Sequence, residues 1–217
     1  MSRPQGAIVR DLFSKPCAQN VQPIADGAAL LRGFASDCAP PLMAAVADIY
    51  AAAPLRHMVT PGGYRMSVAM TNCGVAGWVT DESGYRYDGL DPMTGKRWPA
   101  MPGIFFDLAR SAAAAAGFCD FAPDACLINR YDPGARLTLH QDRNERDYTA
   151  PIVSVSLGLP AQFLFGGLRR KDRPQRIRVQ SGDIAVWGGP ARLAYHGVSP
   201  LADGEHPLTG RCRYNLT

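Results

Sequence analysis

Apolar residues recur at helical spacing in two stretches. In 40–53, Leu42, Met43, Val46, Ile49 and Tyr50 fall on one helical face, Pro40 and Pro41 suit a first turn, and Pro54 ends the run. In 103–116, Ile104, Phe105, Leu108 and Ala112 form an inner face, and Gly117 stands where a C-terminal cap belongs. From Asp124 onward the period shortens to that of strands. The segments are 125–131, 136–141, 152–157, 162–165, 176–180, 183–187, 194–198 and 212–217. Asp132-Pro133-Gly134, Gly166-Gly167, Ser181-Gly182-Asp183 and Gly188-Gly189-Pro190 separate them as turns. Short strands at this spacing predict a closed or double-sheet β core, with the two helices covering one sheet. Between the helices, 59–99 is rich in Gly, Tyr, Thr and Asn and predicts short strands and turns exposed on one side. The first 25 or so residues are mixed and predict a loosely docked arm.

Composition narrows the class. A chain of 217 residues, 47% hydrophobic and 19% charged, can bury one core and is not disordered. No run of about 18 apolar residues predicts a membrane span, and Met1-Ser2-Arg3-Pro4-Gln5-Gly6 is no secretory signal. A cytoplasmic protein is expected. Six scattered cysteines include no Cys-x-x-Cys pair, which argues against a zinc ribbon and for reduced thiols. The net charge of +4 permits a polyanionic partner.

Candidate chemistry begins with His140-Gln141-Asp142. On a strand or its end, residues i and i+2 point the same way, so an imidazole and a carboxylate can share one metal ion. His196, on another predicted strand, is the best third ligand. Two His and one carboxylate on one face leave coordination positions open opposite, as in non-haem iron oxygenases. A surface His beside a turn Asp is the plainer reading, but both histidines follow apolar strand-like runs, Leu137-Thr138-Leu139 and Leu193-Ala194-Tyr195. His57 and His206 read as ordinary exposed or half-buried histidines.

Alternation in Cys212-Arg213-Tyr214-Asn215-Leu216-Thr217 puts Arg213, Asn215 and Thr217 on one face. If that face points into a barrel, the guanidinium needs a partner, either a dicarboxylate co-substrate or a protein carboxylate. Asn129 and Tyr131 share a strand face and can donate to the same co-substrate. Trp78, Tyr85 and Tyr87, beside Arg65 and Arg86, are either a stacking surface for a base or a small hydrophobic subcore. Arg169-Arg170-Lys171-Asp172-Arg173, continued by Arg176 and Arg178, is either a solvated hairpin or a phosphate contact.

Taken in order, several motifs resemble the AlkB family of nucleic-acid dealkylating oxygenases. They are Met58-Val59-Thr60-Pro61-Gly62-Gly63-Tyr64, Met70-Thr71-Asn72-Cys73-Gly74, Asp124-Ala125-Cys126-Leu127-Ile128-Asn129-Arg130-Tyr131, Leu139-His140-Gln141-Asp142, Pro151-Ile152-Val153-Ser154-Val155-Ser156-Leu157-Gly158 and Arg213-Tyr214-Asn215-Leu216-Thr217. The resemblance covers nearly the whole chain after about Asp11. It implies a mostly β fold with flanking helices (α+β). The core would be a double-stranded β-helix (jelly roll) with an N-terminal nucleotide-recognition lid. The expected division is an arm at 1–25, helices and lid at 26–123 and the catalytic core at 124–217, within one structural domain.

The resemblance also implies roles. His140, Asp142 and His196 would hold Fe(II) and form the catalytic centre. Arg213 would grip the distal carboxylate of 2-oxoglutarate, with Leu127, Asn129, Tyr131, Asn215 and Thr217 completing that site. Trp78 and His140 would sandwich a flipped base. Thr60 and Tyr85 would touch the damaged strand, Met70 and Asn144 would line the base pocket, and Arg170 would stand at its rim.

The implied reaction uses O2 and 2-oxoglutarate, yields succinate and CO2, and removes a methyl group from 1-methyladenine or 3-methylcytosine as formaldehyde. The expected partner is alkylated single- or double-stranded DNA, the same chemistry on RNA or tRNA being the alternative. A non-catalytic β-barrel that binds nucleic acid or a small acid is the rival class. A monomer is expected from the lack of heptads and of an exposed apolar stripe.

Two departures stand out. The family carries Asp where this chain has Asn144, an amide that donates as well as accepts. The family strand also continues past Asn-Leu-Thr to another Arg, a position beyond Thr217.

Overall fold

The computed structural model describes residues 20–217. Along the chain run β1 (Val21–Ala25), β2 (Ala28–Leu31), α1 (Ala39–Ala52), β3 (Ala69–Gly74), β4 (Gly77–Asp81), β5 (Gly84–Asp88), α2 (Gly103–Ala115), β6 (Ala125–Tyr131) and β7 (Leu137–His140). Then follow β8 (Ile152–Gly158), β9 (Ala161–Phe165), β10 (Gln175–Val179), β11 (Ile184–Trp187), β12 (His196–Val198) and β13 (Arg213–Leu216). A seven-stranded sheet has the order β1-β2-β11-β8-β13-β6-β3, a four-stranded sheet the order β10-β9-β12-β7, and β4-β5 form a separate hairpin. All these pairings are antiparallel. The result is the predicted jelly-roll core: two facing sheets with the helices on one side.

Strand alternation divides the large sheet's side chains between two cores. Leu31, Ile128, Ile184, Val186, Tyr214 and Leu216 pack under the helices against Leu42, Val46, Ile49, Phe105, Leu108 and Ala112. Their neighbours Leu30, Tyr131, Ala185 and Trp187 face the other way, against Phe163, Phe165 and Val198 of the small sheet. Both faces are therefore covered, which is why all four residues of β11 and of β13 are buried. Leu42 and Leu108 are almost fully enclosed, and cutting either back to Ala would cost about 2–5 kcal/mol.

Helix α2 ends as its sequence predicts. Gly117 has a φ of 94°. Its N–H donates to the Ala114 carbonyl, and the next N–H, of Phe118, donates to that of Ala113. That is the paired closure of a Schellman motif.

Other expectations are corrected. Val21–Ala25, expected in a loose arm, pairs with β2 at the edge of the large sheet, while 1–19 lie outside the described residues, and Cys17 with them. Pairing supplies what a mixed, Pro23-containing segment lacks on its own. Strand β3 is not exposed on one side: five of its six residues are buried. The Thr71 hydroxyl donates to Ala53 and the Asn72 amide brackets Trp78, so the polar residues there have partners. Tyr50 does not join the inner face of α1 and is 38% exposed. Ala194 precedes its predicted strand rather than lying in it. Among the described residues, no helix is long and apolar enough to cross a membrane.

Candidate active site

Strand pairing assembles the first cluster. Strands β7 and β12 are neighbours, with His140 and His196 directly opposite each other, and Asp142 lies just beyond the end of β7. Asp142 Oδ1 is 3.6 Å from His140 Nε2, and Oδ2 is 3.5 Å from His196 Nε2. All the ligand atoms of the three lie within 4.8 Å of one another, and they are the one such group among the described residues. Each ring's Nδ1 lies 2.9–3.0 Å from a backbone carbonyl two residues back, Thr138 for His140 and Ala194 for His196. With Nδ1–H donating there, Nε2 is left as a lone pair turned toward Asp142.

The electrostatics suit a cation. Burial pulls the His140 imidazole below its ordinary value, and His196 beside it adds to this. Burial opposes the charge of His196 too, but Asp142 outweighs it and the value rises. Burial also opposes the Asp142 carboxylate, yet the two imidazoles and Arg192 hold it at about 2. A carboxylate ionised at neutral pH and two inward Nε2 atoms are a fitting donor set for Fe(II).

The second cluster lies inside the β core. Arg213 is opposite Tyr131 on β6, and Asn215 is opposite Asn129. Arg213 is 2% exposed, and its Nη2 donates to Ser156 Oγ at 3.0 Å. Its Nε and Nη1, the Tyr131 hydroxyl and Asn129 Oδ1 have no hydrogen-bond partner among the described residues. The guanidinium carbon lies 5.0 Å from the Tyr131 ring centre. Burial works against the charge of Arg213, though a guanidinium stays protonated in proteins, and burial lifts Tyr131 to about 12, so at neutral pH its hydroxyl is a neutral donor. A buried cation with two idle nitrogens is costly unless an anion completes it. A dicarboxylate such as 2-oxoglutarate has the charge and shape to do so, and no protein carboxylate pairs with Arg213 among the described residues. Around it, Asn215 Nδ2 donates to Ser154 and to the Val155 carbonyl, and the Thr217 hydroxyl donates to Asn215 Oδ1. Leu127 exchanges backbone hydrogen bonds with Thr217.

The third cluster is the hairpin. Trp78 and Tyr85 stack with ring centres 5.8 Å apart and planes at 28°. The side chain of Asn144 reaches the Tyr85 carbonyl at 3.4 Å. Thr60 closes a tight turn with Tyr64, and Met70 is buried on β3. Arg170 donates to the Leu139 carbonyl, next to His140. One cavity of about 1220 Å³ is lined by the three metal-type ligands, the Arg213 group and all six of these substrate candidates. His57 and His206 are not among its lining residues. His57 pairs with the Met66 carbonyl, and the ring of His206 serves its own turn.

Two lining residues, Arg192 and Glu145, carry weight that the linear pattern did not suggest. Arg192 is 3% exposed. It donates to the carbonyls of Ala150 and Asp142 and pairs with Glu145 at 3.4 Å. Glu145 in turn accepts from the Tyr87 hydroxyl of β5 at 3.1 Å. This chain ties the hairpin to the backbone of Asp142. A lone Arg within Gly-Pro-Ala-Arg-Leu-Ala-Tyr was the available signal, because an isolated cation among apolar residues needs buried partners.

Comparison with known proteins agrees with this geometry. The family model described as the 2OG-Fe(II) oxygenase superfamily matches residues 27–217. The chain is 59% identical over 196 residues to the alpha-ketoglutarate-dependent dioxygenase AlkB of Escherichia coli (strain K12), covering 90% of this chain and 91% of that one. It is 46% identical over 166 residues to the AlkB homolog of Caulobacter vibrioides (strain NA1000 / CB15N), covering 76% and 74%. The solved structure of OsALKBH1 superposes with a TM-score of 0.79 at 26% identity, covering 90% of this chain and 97% of that one. The chain belongs to the AlkB family of the 2OG-Fe(II) oxygenase superfamily and is a dioxygenase that uses Fe(II), 2-oxoglutarate and O2.

Proposed function

We propose that this enzyme removes N-linked alkyl groups from damaged bases of DNA, with 1-methyladenine and 3-methylcytosine as the type substrates. The carrying observation is the convergence of His140, Asp142 and His196 with the part-unpaired Arg213 around a single cavity. His140, Asp142 and His196 hold Fe(II). Arg213 takes the distal carboxylate of 2-oxoglutarate, with Leu127, Asn129, Tyr131, Asn215 and Thr217 shaping that end. Iron and 2-oxoglutarate, when bound, supply the oxygen chemistry that turns N–CH3 into N–CH2OH, with succinate and CO2 as co-products. The carbinol then gives its hydroxyl proton to water as its C–N bond breaks, leaving that bond's electron pair on the base nitrogen and releasing formaldehyde.

The base must leave its stack to reach the metal. Trp78 and the exposed side of His140 bracket it, and Met70 and Asn144 line the pocket. Thr60 and Tyr85 meet the adjoining strand, and Arg170 stands at the rim. The enzyme acts as a cytoplasmic monomer. The fission yeast relative named "tRNA demethylase abh1" is 32% identical over 141 residues, so RNA belongs in the test.

The experiment supplies Fe(II), 2-oxoglutarate and matched DNA and RNA oligonucleotides carrying 3-methylcytosine, and measures formaldehyde. Release from DNA is expected to exceed release from RNA and to vanish in His140→Ala. Trp78→Ala is expected to lower kcat/KM about 10- to 100-fold, the worth of one base–aromatic stack. Formaldehyde release that survives His140→Ala would sink the ligand assignment.

A further inference from the structure

The positive charge of this chain is not spread over it. Residues 169–178 hold Arg169, Arg170, Lys171, Arg173, Arg176 and Arg178 against Asp172 alone, a net of five positive charges. The whole chain, with 23 Lys and Arg against 19 Asp and Glu, nets four, so everything outside this segment is negative by one. A merely solvated hairpin does not require such concentration, since mixed signs keep a surface soluble equally well.

The basic side chains of the segment are exposed, and Arg170 among them lines the cavity. The segment is the turn between β9 and β10 together with most of β10, the edge strand of the small sheet. Phe163 and Phe165 point into the core, and Gln162 and Leu164 point out. Arg178 is opposite Gln162 and Arg176 is opposite Leu164. Both arginines therefore share the outer face, while Ile177, opposite Phe163, turns inward. At the other end, Arg170 crosses to the Leu139 carbonyl beside His140, so the charged face begins at the rim of the active site. Asp172 is committed to Arg169 at 3.1 Å. Among the described residues, no carboxylate pairs with Arg170, Lys171, Arg173, Arg176 or Arg178.

We infer that Arg173, Arg176 and Arg178 form a docking ridge for the phosphodiester backbone flanking the base under repair. The inference rests on the nucleic-acid reading above and extends it to a surface outside the cavity. Unpaired guanidinium groups along an exposed strand match a line of phosphates in sign and presentation, and each phosphate neutralised releases condensed counterions. The ridge adds affinity for long substrates and contributes nothing to the chemistry at the metal.

The test compares the wild-type protein with Arg173→Gln/Arg176→Gln/Arg178→Gln. Fluorescence anisotropy on a duplex of about 20 base pairs, titrated with salt, reads the contacts directly. The slope of log K against log [salt] is expected to fall by about 2 to 3, at roughly 0.9 per lost phosphate contact, with affinity at low salt falling at least about tenfold. The single variant Arg176→Gln should lower the slope by about one contact, which guards against a folding defect in the triple variant. Formaldehyde release from a methylated trinucleotide, too short to reach the ridge, should be the same in all three proteins. An unchanged slope in the triple variant overturns the ridge, whatever the catalytic result. Absence of trinucleotide turnover in the wild type instead overturns the catalytic reading, and anisotropy still decides the ridge. Repeating the titration with single strands assigns the phosphates: equal losses place the damaged strand on the ridge, and a loss confined to duplex places the opposing strand there.

Discussion

Arg213 and Tyr85 line the same cavity, yet the first is 2% exposed in a central strand and the second is 48% exposed on a two-stranded hairpin. Around Arg213, β13 is hydrogen-bonded on both edges, to β6 and β8, and packed on both faces. Nothing there can relax to satisfy the idle nitrogens of the guanidinium, so they remain directed at the cavity. The hairpin β4–β5 has no third strand. It is held by side chains: the Tyr87–Glu145 bond, the Asn144 contact with the Tyr85 carbonyl, and Trp98 Nε1 donating to Asp88 at 2.9 Å. Its ion pairs, Arg86 with Asp81 and Asp88, are open to water and add little. One end of the cavity is rigid and electrostatically incomplete. The other is lightly fastened, with each tie worth about 1 kcal/mol. In the function proposed above, a small co-substrate would meet a preformed site, and a base swung out of a stack would meet a surface able to open.

The largest expected effect breaks the rigid end. Arg213→Met removes the charge while keeping the stem's volume. Two charge-assisted hydrogen bonds to a carboxylate are together worth about 3–4 kcal/mol, so KM for 2-oxoglutarate should rise about 10²- to 10³-fold in a succinate-formation assay. The apoprotein should melt at or above the wild-type temperature, because an uncompensated buried cation has gone. A KM that stays within twofold of wild type would show that this guanidinium does not hold the co-substrate.

The next effect lies at the root of the hairpin. Asp91 is 2% exposed. It pairs with Arg56 at 2.6 Å and accepts from the Met93 N–H at 3.0 Å and the Thr94 hydroxyl at 3.2 Å. Arg56 also lies 5.2 Å from the centre of the Trp98 ring. Burial disfavours the Asp91 charge, but Arg56 and the local donors outweigh it, and the carboxyl sits below its ordinary value. A depressed folded pKa contributes stability that is fully present above the unfolded value of about 3.9 and lost as pH falls through the folded value. Asp91→Asn should therefore cost about 3 kcal/mol in urea unfolding at neutral pH, as for a broken buried pair. The deficit should shrink below pH of about 4, where the wild type loses the same contribution. A deficit that is equal at both ends of that range would exclude ionisation as its cause.

The rigid end was also the more legible in the sequence. Period-two alternation places Arg213 with Asn215, and Asn129 with Tyr131, on shared strand faces without knowledge of the partner strands, and His140-Gln141-Asp142 carries its geometry in its own spacing. The hairpin end depends on contacts between distant segments, such as Tyr87 with Glu145 and Glu145 with Arg192. No local pattern encodes those pairs. Strand β1 was illegible for the same reason: four of its five residues are exposed, so only its pairing with β2 makes it a strand. Strand β3 misled in the opposite direction. Thr71 and Asn72 look like exposed polar residues, but they are buried because Ala53 and Trp78 present backbone groups to them.

The smallest predicted effect sharpens the contrast at the seam between the two ends. Asn144 lies two residues beyond Asp142 and reaches back to the Tyr85 carbonyl at 3.4 Å, a long and therefore weak hydrogen bond. In Asn144→Asp the carboxylate cannot donate to that carbonyl, so the hairpin loses one tie worth about 1 kcal/mol or less. The same change puts a negative charge in the pocket, which favours a cationic base such as 3-methylcytosine over a neutral one such as 3-methylthymine. The two consequences separate in the data. Loosening the hairpin raises KM for both substrates equally, by up to about fivefold. The added charge, screened in a half-open site, moves only the ratio of kcat/KM between them, by up to about tenfold toward the cationic base. An unchanged ratio would place residue 144 outside the electrostatic reading of the base and leave its amide as a fastening of the hairpin alone.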